Sequence, residues 1–337
     1  MDRVLELVKR HGWNATAFQT LEPGYQYLFD GDACVAYVDT GRAWVAAGAP
    51  IAATDRVAKV AETFVATARA SRRRACFVAT EDRMREATRD RLRALQIAEQ
   101  PVWDPRAWGE QVAAHRSIGG QLRRARNKGV RVRRVEPSEL VAGPVHDAIA
   151  AVTGQWLRTR ESDPMGFLLR VDPFAYATER RCFVAEIGRD VVAYAGVIPV
   201  PARPGWFVED LVRMPKAPNG TTETLVDAVM RWATSEGCTW VTLGASPLAG
   251  SVTRWLRLVR RGAKLVYDFE GLHAFKAKLR PREWMPIYLQ YPRRQGALRS
   301  LSDTLAAFTG HGVLGFGVRA LLRAPAAFLQ SRAVEHT

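Results

Sequence analysis

The chain has 337 residues, with 49 Lys plus Arg against 34 Asp plus Glu, a formal net charge of +15 and a pI of about 10.2. Hydrophobic residues at 47% and charged residues at 25% exclude a disordered chain, and no uncharged apolar run approaches the roughly 18–20 residues of a membrane-spanning helix. The opening Met1-Asp2-Arg3-Val4 has no signal-peptide apolar region, so a cytosolic protein is expected. The length suits two domains better than one. The charge points to an anionic partner (nucleic acid, acidic lipid or polyphosphate) or to an arginine-rich solvated surface, and composition does not choose between them. Cys34, Cys76, Cys182 and Cys238 lie far apart without a C-x-x-C pair, which reads as reduced core cysteines. The scattered histidines suggest no metal site, and no cofactor is expected.

In chain order, residues 33–38 and 43–47 flank Asp39-Thr40-Gly41-Arg42 and predict a hairpin. Thr54 and Asp55 are placed to cap a helix whose Val57, Val60, Ala61, Phe64, Val65 and Ala68 follow the i, i+3, i+4 rule. A buried strand is expected over Ala75–Thr80, then a polar helix from about Asp82 to Leu95. The densest basic run, Arg123 to Arg134, starts as helix, breaks at Gly129 and resumes as strand. Arg123, Arg126 and Arg124 then share a helix region, and Arg131 and Arg133 one strand face.

Pro137 and Ala142-Gly143-Pro144 mark a boundary zone, and Val145, Ile149, Val152 and Trp156 set out an amphipathic helix. A second hairpin is expected over residues 182–187 and 191–198, a strand over Trp206–Leu211, a helix after Asn219-Gly220 that ends at Gly237, and a strand over Trp240–Leu243. A basic helix carrying Arg254, Arg257, Arg260, Arg261 and Lys264 and a strand over Leu265–Phe269 follow. Residues 293–337 read either as an amphipathic basic tail on an anionic membrane or as a helix docked on the core. The fold class is therefore α/β (α+β), with two mixed α/β units: an N-terminal domain over 1–136, a C-terminal catalytic domain over 137–292 and the tail. The element order resembles tandem N-acetyltransferase-like (GNAT-like) domains with mixed β-sheets.

Acyl-CoA enzymes of that fold cradle a pyrophosphate on consecutive backbone N–H groups at a helix N-terminus. Here Pro215 and Pro218 remove two donors from the corresponding loop and only Gly220 remains, which argues against acetyl-CoA. Asp210 and Arg213 stand three apart at a strand end. Met165-Gly166-Phe167, the run Glu209 to Thr221, Leu243-Gly244-Ala245-Ser246-Pro247-Leu248-Ala249-Gly250, and Phe269-Glu270-Gly271-Leu272 through Lys276 resemble the catalytic domain of the phosphatidylglycerol lysyltransferases, the aminoacyl-phosphatidylglycerol synthases. The likeness spans roughly residues 18–292 and extends upstream to Gly48-Ala49-Pro50-Ile51 and Leu122 to Asn127.

The resemblance implies transfer of an amino acid from aminoacyl-tRNA to a lipid hydroxyl, with phosphatidylglycerol as the acceptor. That family usually carries a transmembrane flippase; none is read here, so export of the product is not expected of this chain. The ester donor is already activated, so the enzyme mainly positions groups and stabilises charge. On this reading Asp210 and Arg213 are catalytic. Asp210 is suited to accept the donor's α-ammonium or to orient the acceptor hydroxyl, and Arg213 to hold a phosphate. Met165, Gly166, Phe167, Asn219, Gly244, Ser246, Glu270 and Lys276 line the substrates, with Glu270 reading a lysine side chain and Lys276 contacting phosphate; a lysine solvated on a helix surface is the alternative for Lys276. Arg123, Arg124, Arg126, Lys128 and Arg131 are the expected tRNA contact. The alternatives are another acceptor for the same donor (a peptidoglycan precursor, peptide or small molecule), an acyl-CoA N-acyltransferase, and a non-catalytic RNA- or membrane-binding protein.

Overall fold

A computed structural model describes residues 2–159, 167, 171–247 and 269–309. The first half runs α1 (Asp2–His11), a 3-10 turn (Ala15–Leu21), β1 (Gln26–Asp30), β2 (Ala33–Asp39), β3 (Ala43–Ala47), α2 (Val57–Ala70), β4 (Arg74–Thr80), α3 (Asp82–Ala87) and β5 (Leu92–Trp103). Then come α4 (Trp108–Ala114), α5 (Arg116–Asn127), β6 (Val130–Val135), α6 (Pro137–Val141), α7 (Pro144–Arg158), β7 (Arg181–Ile187), β8 (Asp190–Val200) and β9 (Gly205–Arg213). The described chain closes with α8 (Thr221–Ser235), β10 (Trp240–Thr242), β11 (Ser246–Pro247), α9 (Phe269–Lys278), β12 (Glu283–Pro292) and α10 (Ala297–Thr309).

Each half repeats one motif. In the first, the β2–β3 hairpin leads through α2 to β4, which lies parallel to β3. In the second, the β7–β8–β9 meander leads through α8 to β10, which lies parallel to β9. Both are GNAT-like units. They merge into one twelve-stranded mixed sheet in the order β1-β2-β3-β4-β12-β5-β10-β9-β8-β7-β6, with β11 pairing off β5. The late strand β12 inserts between β4 and β5 of the first half, and β5 carries the sheet across to β10. β6 pairs with β7 at the far edge.

Strand alternation decides which helix each face receives. Val35, Tyr37, Trp44, Ala46 and Phe77 meet the apolar stripe of α2, whereas Val45, Cys76 and Val78 face α10. In the second half α5 and α8 cover one face, and α6 and α7 cover the other. All four cysteines are buried and free. The halves are also stapled by the buried Glu81–Arg203 ion pair, whose guanidinium lies 4.4 Å from the ring centroids of both Trp13 and Trp240.

Three expectations are corrected. Thr54–Arg56 form a 3-10 turn with no side-chain cap, and the N-cap position of α2 is Arg56. The polar helix from Asp82 stops at Ala87, because residues from Leu92 join β5. Leu, Arg, Ala, Gln and Glu give that stretch helical propensity, but its pairing with β12 outweighs it. Phe269, expected in a strand, opens α9. The rest of that strand, residues 265–268, and the basic helix carrying Arg254 lie outside the described residues. Of the expected tail, α10 docks on the first half: Arg74 donates to Asp303, and Phe308 packs against Phe167 at 5.1 Å between ring centroids. Residues 310–337 lie outside the described part.

Candidate functional site

The site is built on an irregularity in β9. The register passes from Val208↔Val197 to Asp210↔Gly196, so Glu209 has no partner on β8. Such a bulge turns two successive side chains toward one region instead of opposite faces. Arg180, just before β7, uses this: Nη1 donates to Asp210 Oδ2 at 2.8 Å and Nη2 to Glu209 Oε2 at 2.5 Å. Its Nε donates to the Ala175 carbonyl at 3.1 Å, so every arm of the guanidinium is engaged. The three side chains are at most 5% exposed.

Gly196, opposite Asp210, makes the arrangement possible. A Cβ there would stand 2.8 Å from both Arg180 Nη1 and Asp210 Oδ2. Two buried carboxylates share one buried cation. Burial therefore raises the Asp210 pKa above the ordinary carboxylate range; Arg180 opposes the shift and the Glu209 charge adds to it. The second Asp210 oxygen has no hydrogen bond among the described residues.

The second component lies where β10 parts from β9. Their parallel pairing covers Trp240↔Gly205 to Thr242↔Phe207. The chain then turns at Gly244, with φ +71°, and returns as β11 to pair with β5. Gly244 has no room for a side chain, since a Cβ would lie 2.7 Å from the Phe207 ring. From α9, Lys276 Nζ reaches into this turn and donates to the Gly244 and Ala245 carbonyls at 2.8 and 2.9 Å. It has no carboxylate partner among the described residues, and burial pushes its pKa down to about 7. The next residue, Ser246, is fully buried, and its Oγ has no hydrogen-bond partner among the described residues. A buried ammonium and an unpaired buried hydroxyl on one turn are costly to keep for packing alone.

The structure thus sorts the residues singled out from sequence. Asp210, Gly244, Ser246 and Lys276 belong to the β9–β10 region. Lys276 is buried, not a solvated lysine on a helix surface. Arg213 does not pair with Asp210. It sits opposite Ala193 on the other face of β9, is exposed, and donates to the Ala217 carbonyl. Asn219 is exposed in the loop before α8. Phe167 is buried against Tyr25 and Phe308, in the first half's core; Met165 and Gly166, and the side chain of Glu270, lie outside the described part.

Arg123, Arg124, Arg126, Lys128 and Arg131 are all exposed on α5, its end and β6, and none has an ion-pair partner among the described residues. Arg133 instead bridges Glu139 and Glu186. Sequence reasoning missed Arg180 and Gly196 altogether, and the adjacent Glu209-Asp210 pair was the sole local signal of a shared counter-ion.

A family model described as phosphatidylglycerol lysyltransferase, C-terminal, matches residues 5–291. The chain is 30% identical over 174 residues to the phosphatidylglycerol lysyltransferase of Bacillus subtilis (strain 168), an alignment covering 48% of this chain and 19% of that protein. It thus matches about a fifth of that relative's length. The C-terminal domain of a putative lysylphosphatidylglycerol synthetase from Agrobacterium fabrum superposes with a TM-score of 0.76 at 23% identity, covering 90% of this chain and 94% of that one. L-PGS from Bacillus licheniformis gives 0.77 at 19%, covering 91% and 95%. At those identities the two structures show the fold. The match over 5–291 shows more: this chain belongs to the phosphatidylglycerol lysyltransferase C-terminal family.

Proposed function

We propose that the chain transfers an aminoacyl group, lysyl by likeness to the relatives named above, from aminoacyl-tRNA to a hydroxyl of phosphatidylglycerol. The observation that carries this reading is Asp210, a buried carboxylate of raised pKa clamped by Arg180 beside the β9–β10 parting. Ester-to-ester exchange needs one proton relay. The acceptor hydroxyl gives its proton to Asp210 as its oxygen bonds to the acyl carbon. The bond from that carbon to the tRNA ribose oxygen then breaks, and the ribose oxygen takes the proton. A carboxylate raised toward neutrality suits this shuttle better than one near 4. Arg180 fixes its orientation, and the Ser246 hydroxyl and the Lys276-held turn offer donors toward the ester.

The exposed stripe from Arg123 to Arg131 supplies phosphate contacts for tRNA, and Glu270 would read the lysine ammonium. The donor places the reaction on the cytoplasmic side of the membrane. Coenzyme A is a poor alternative donor: at Gly220 a Cβ would lie 2.2 Å from the Gln121 carbonyl, so α5 already occupies the approach to the α8 N-terminus.

The test is a label-transfer assay with a pool of radiolabelled aminoacyl-tRNAs, phosphatidylglycerol vesicles and an RNase-treated control. RNase-sensitive label in the organic phase, absent with Asp210→Asn, is expected. Label lost from tRNA without reaching lipid would point to another acceptor, and no effect on tRNA would overturn the reading.

A further inference from the structure

Far from β9, the first half carries a surface groove of about 570 Å³ between α2 and the turn into β5. This lies within the range of sites that hold small ligands, roughly 300–1,000 Å³. Its walls are short and apolar: Ala58, Val65 and Ala66 from α2, and Leu92 and Pro292 from the paired ends of β5 and β12. Arg69 and Arg91 stand at its rim.

The surroundings are cationic. Arg89 and Arg93 are exposed on either side of Arg91, and Arg293 and Arg294 follow Pro292. Arg293 donates to the Arg89 and Asp90 carbonyls, which brings the two arginine groups onto one edge. Glu62, paired with Arg91, and Asp90 are the acidic groups beside them, so the edge keeps a net positive charge. Just beyond, at the start of α10, Leu298 is 71% exposed and Arg299 is exposed beside it. None of these groups belongs to the transfer site or to the tRNA stripe.

An apolar slot with a net-positive arginine rim and a projecting leucine matches the chemistry of an anionic bilayer: phosphates outside, hydrocarbon just below. We propose that this groove docks the protein on anionic phospholipid membrane, with one acyl chain lying against α2 and lipid phosphates held by the arginine rim. The docking is a second lipid contact, separate from the acceptor lipid of the transfer reaction. It rests on the transferase reading only for its purpose, which is to hold the enzyme where acceptor lipid is concentrated.

The experiment is cosedimentation of the full chain with vesicles of phosphatidylcholine alone or with 30% phosphatidylglycerol, at low and physiological salt. The wild type is expected to bind the mixed vesicles. The triple variant Arg89→Ala, Arg93→Ala, Arg294→Ala removes three cations with no role in packing. Each cation near the surface is worth about fivefold in partitioning, so binding should weaken about a hundredfold. Ala66→Asp, on an exposed groove wall, should also weaken it while keeping the wild-type melting temperature. Transfer to short-chain, water-soluble phosphatidylglycerol should be unchanged in both variants, while transfer to vesicles should fall. Wild-type vesicle binding by both variants, or no binding by the wild type, would overturn the docking. Absence of transfer to either form of lipid, with the binding differences intact, would instead defeat the transferase reading alone.

Discussion

Arg180 donates to Asp210 at 2.8 Å where neither side chain is more than 5% exposed, Arg180 standing just before β7 and Asp210 on β9. Removing a partner from such a buried pair costs about 3–5 kcal/mol, because the other charge is left unpaired. Arg180→Gln leaves both Glu209 and Asp210 without a cation. Urea unfolding should show a loss of that order, together with loss of transfer. Asp210→Asn keeps the shape and relieves the excess negative charge, so it should unfold near the wild-type midpoint while transfer falls about a hundredfold or more. Equal destabilisation by the two variants would contradict this account.

Gly196→Ala tests the same pair without touching either charge. The new methyl meets Arg180 Nη1 and Asp210 Oδ2 at 2.8 Å, closer than such atoms pack, so the ion pair must shift. We expect a loss of about 1–3 kcal/mol in stability and a drop in kcat larger than the change in KM. An unchanged kcat would show that the pair's position is not critical.

Lys276 makes stability depend on pH in a defined direction. Its folded pKa is lowered from 10.5 to about 7, so between these values the unfolded chain binds more protons than the folded one. Stability should therefore rise as pH increases from about 7 toward 10, and the cost of burying the ammonium is greatest below pH 7. Thermal melts of the wild type minus those of Lys276→Met should show this slope. A flat difference would mean that the ammonium is not desolvated.

The α5–β6 stripe predicts salt dependence. Replacing Arg123, Arg124 and Arg126 by alanine should weaken tRNA binding and reduce the slope of log affinity against log salt by about 2–3. Folding should be untouched, because all three side chains are exposed. An unchanged slope would move the tRNA contact elsewhere.

The elements that were legible from sequence are those whose periodicity reports their own burial. α2 and α8 bury a face that recurs at helical spacing, and the β2–β3 and β7–β9 strands are short apolar runs bounded by turn residues and buried over most of their length. β5 was misread because Leu92–Leu95 has the composition of a helix and becomes strand only through β12, which arrives nearly 200 residues later. Asp210 and Lys276 were found through motif likeness, but their partners were not. Arg213 is near Asp210 in sequence, yet strand alternation turns it to the opposite face.

Sequence alone determined the α/β class, the two hairpin-led units, the exposed basic run and the family resemblance, since these depend on local composition and spacing. The tertiary structure decided that the two units share one sheet, that Lys276 is buried, and that Arg180 rather than Arg213 clamps Asp210. Each of those depends on a bulge or a strand crossing that brings distant residues together, and on the low polarity such burial creates. No local pattern encodes either one.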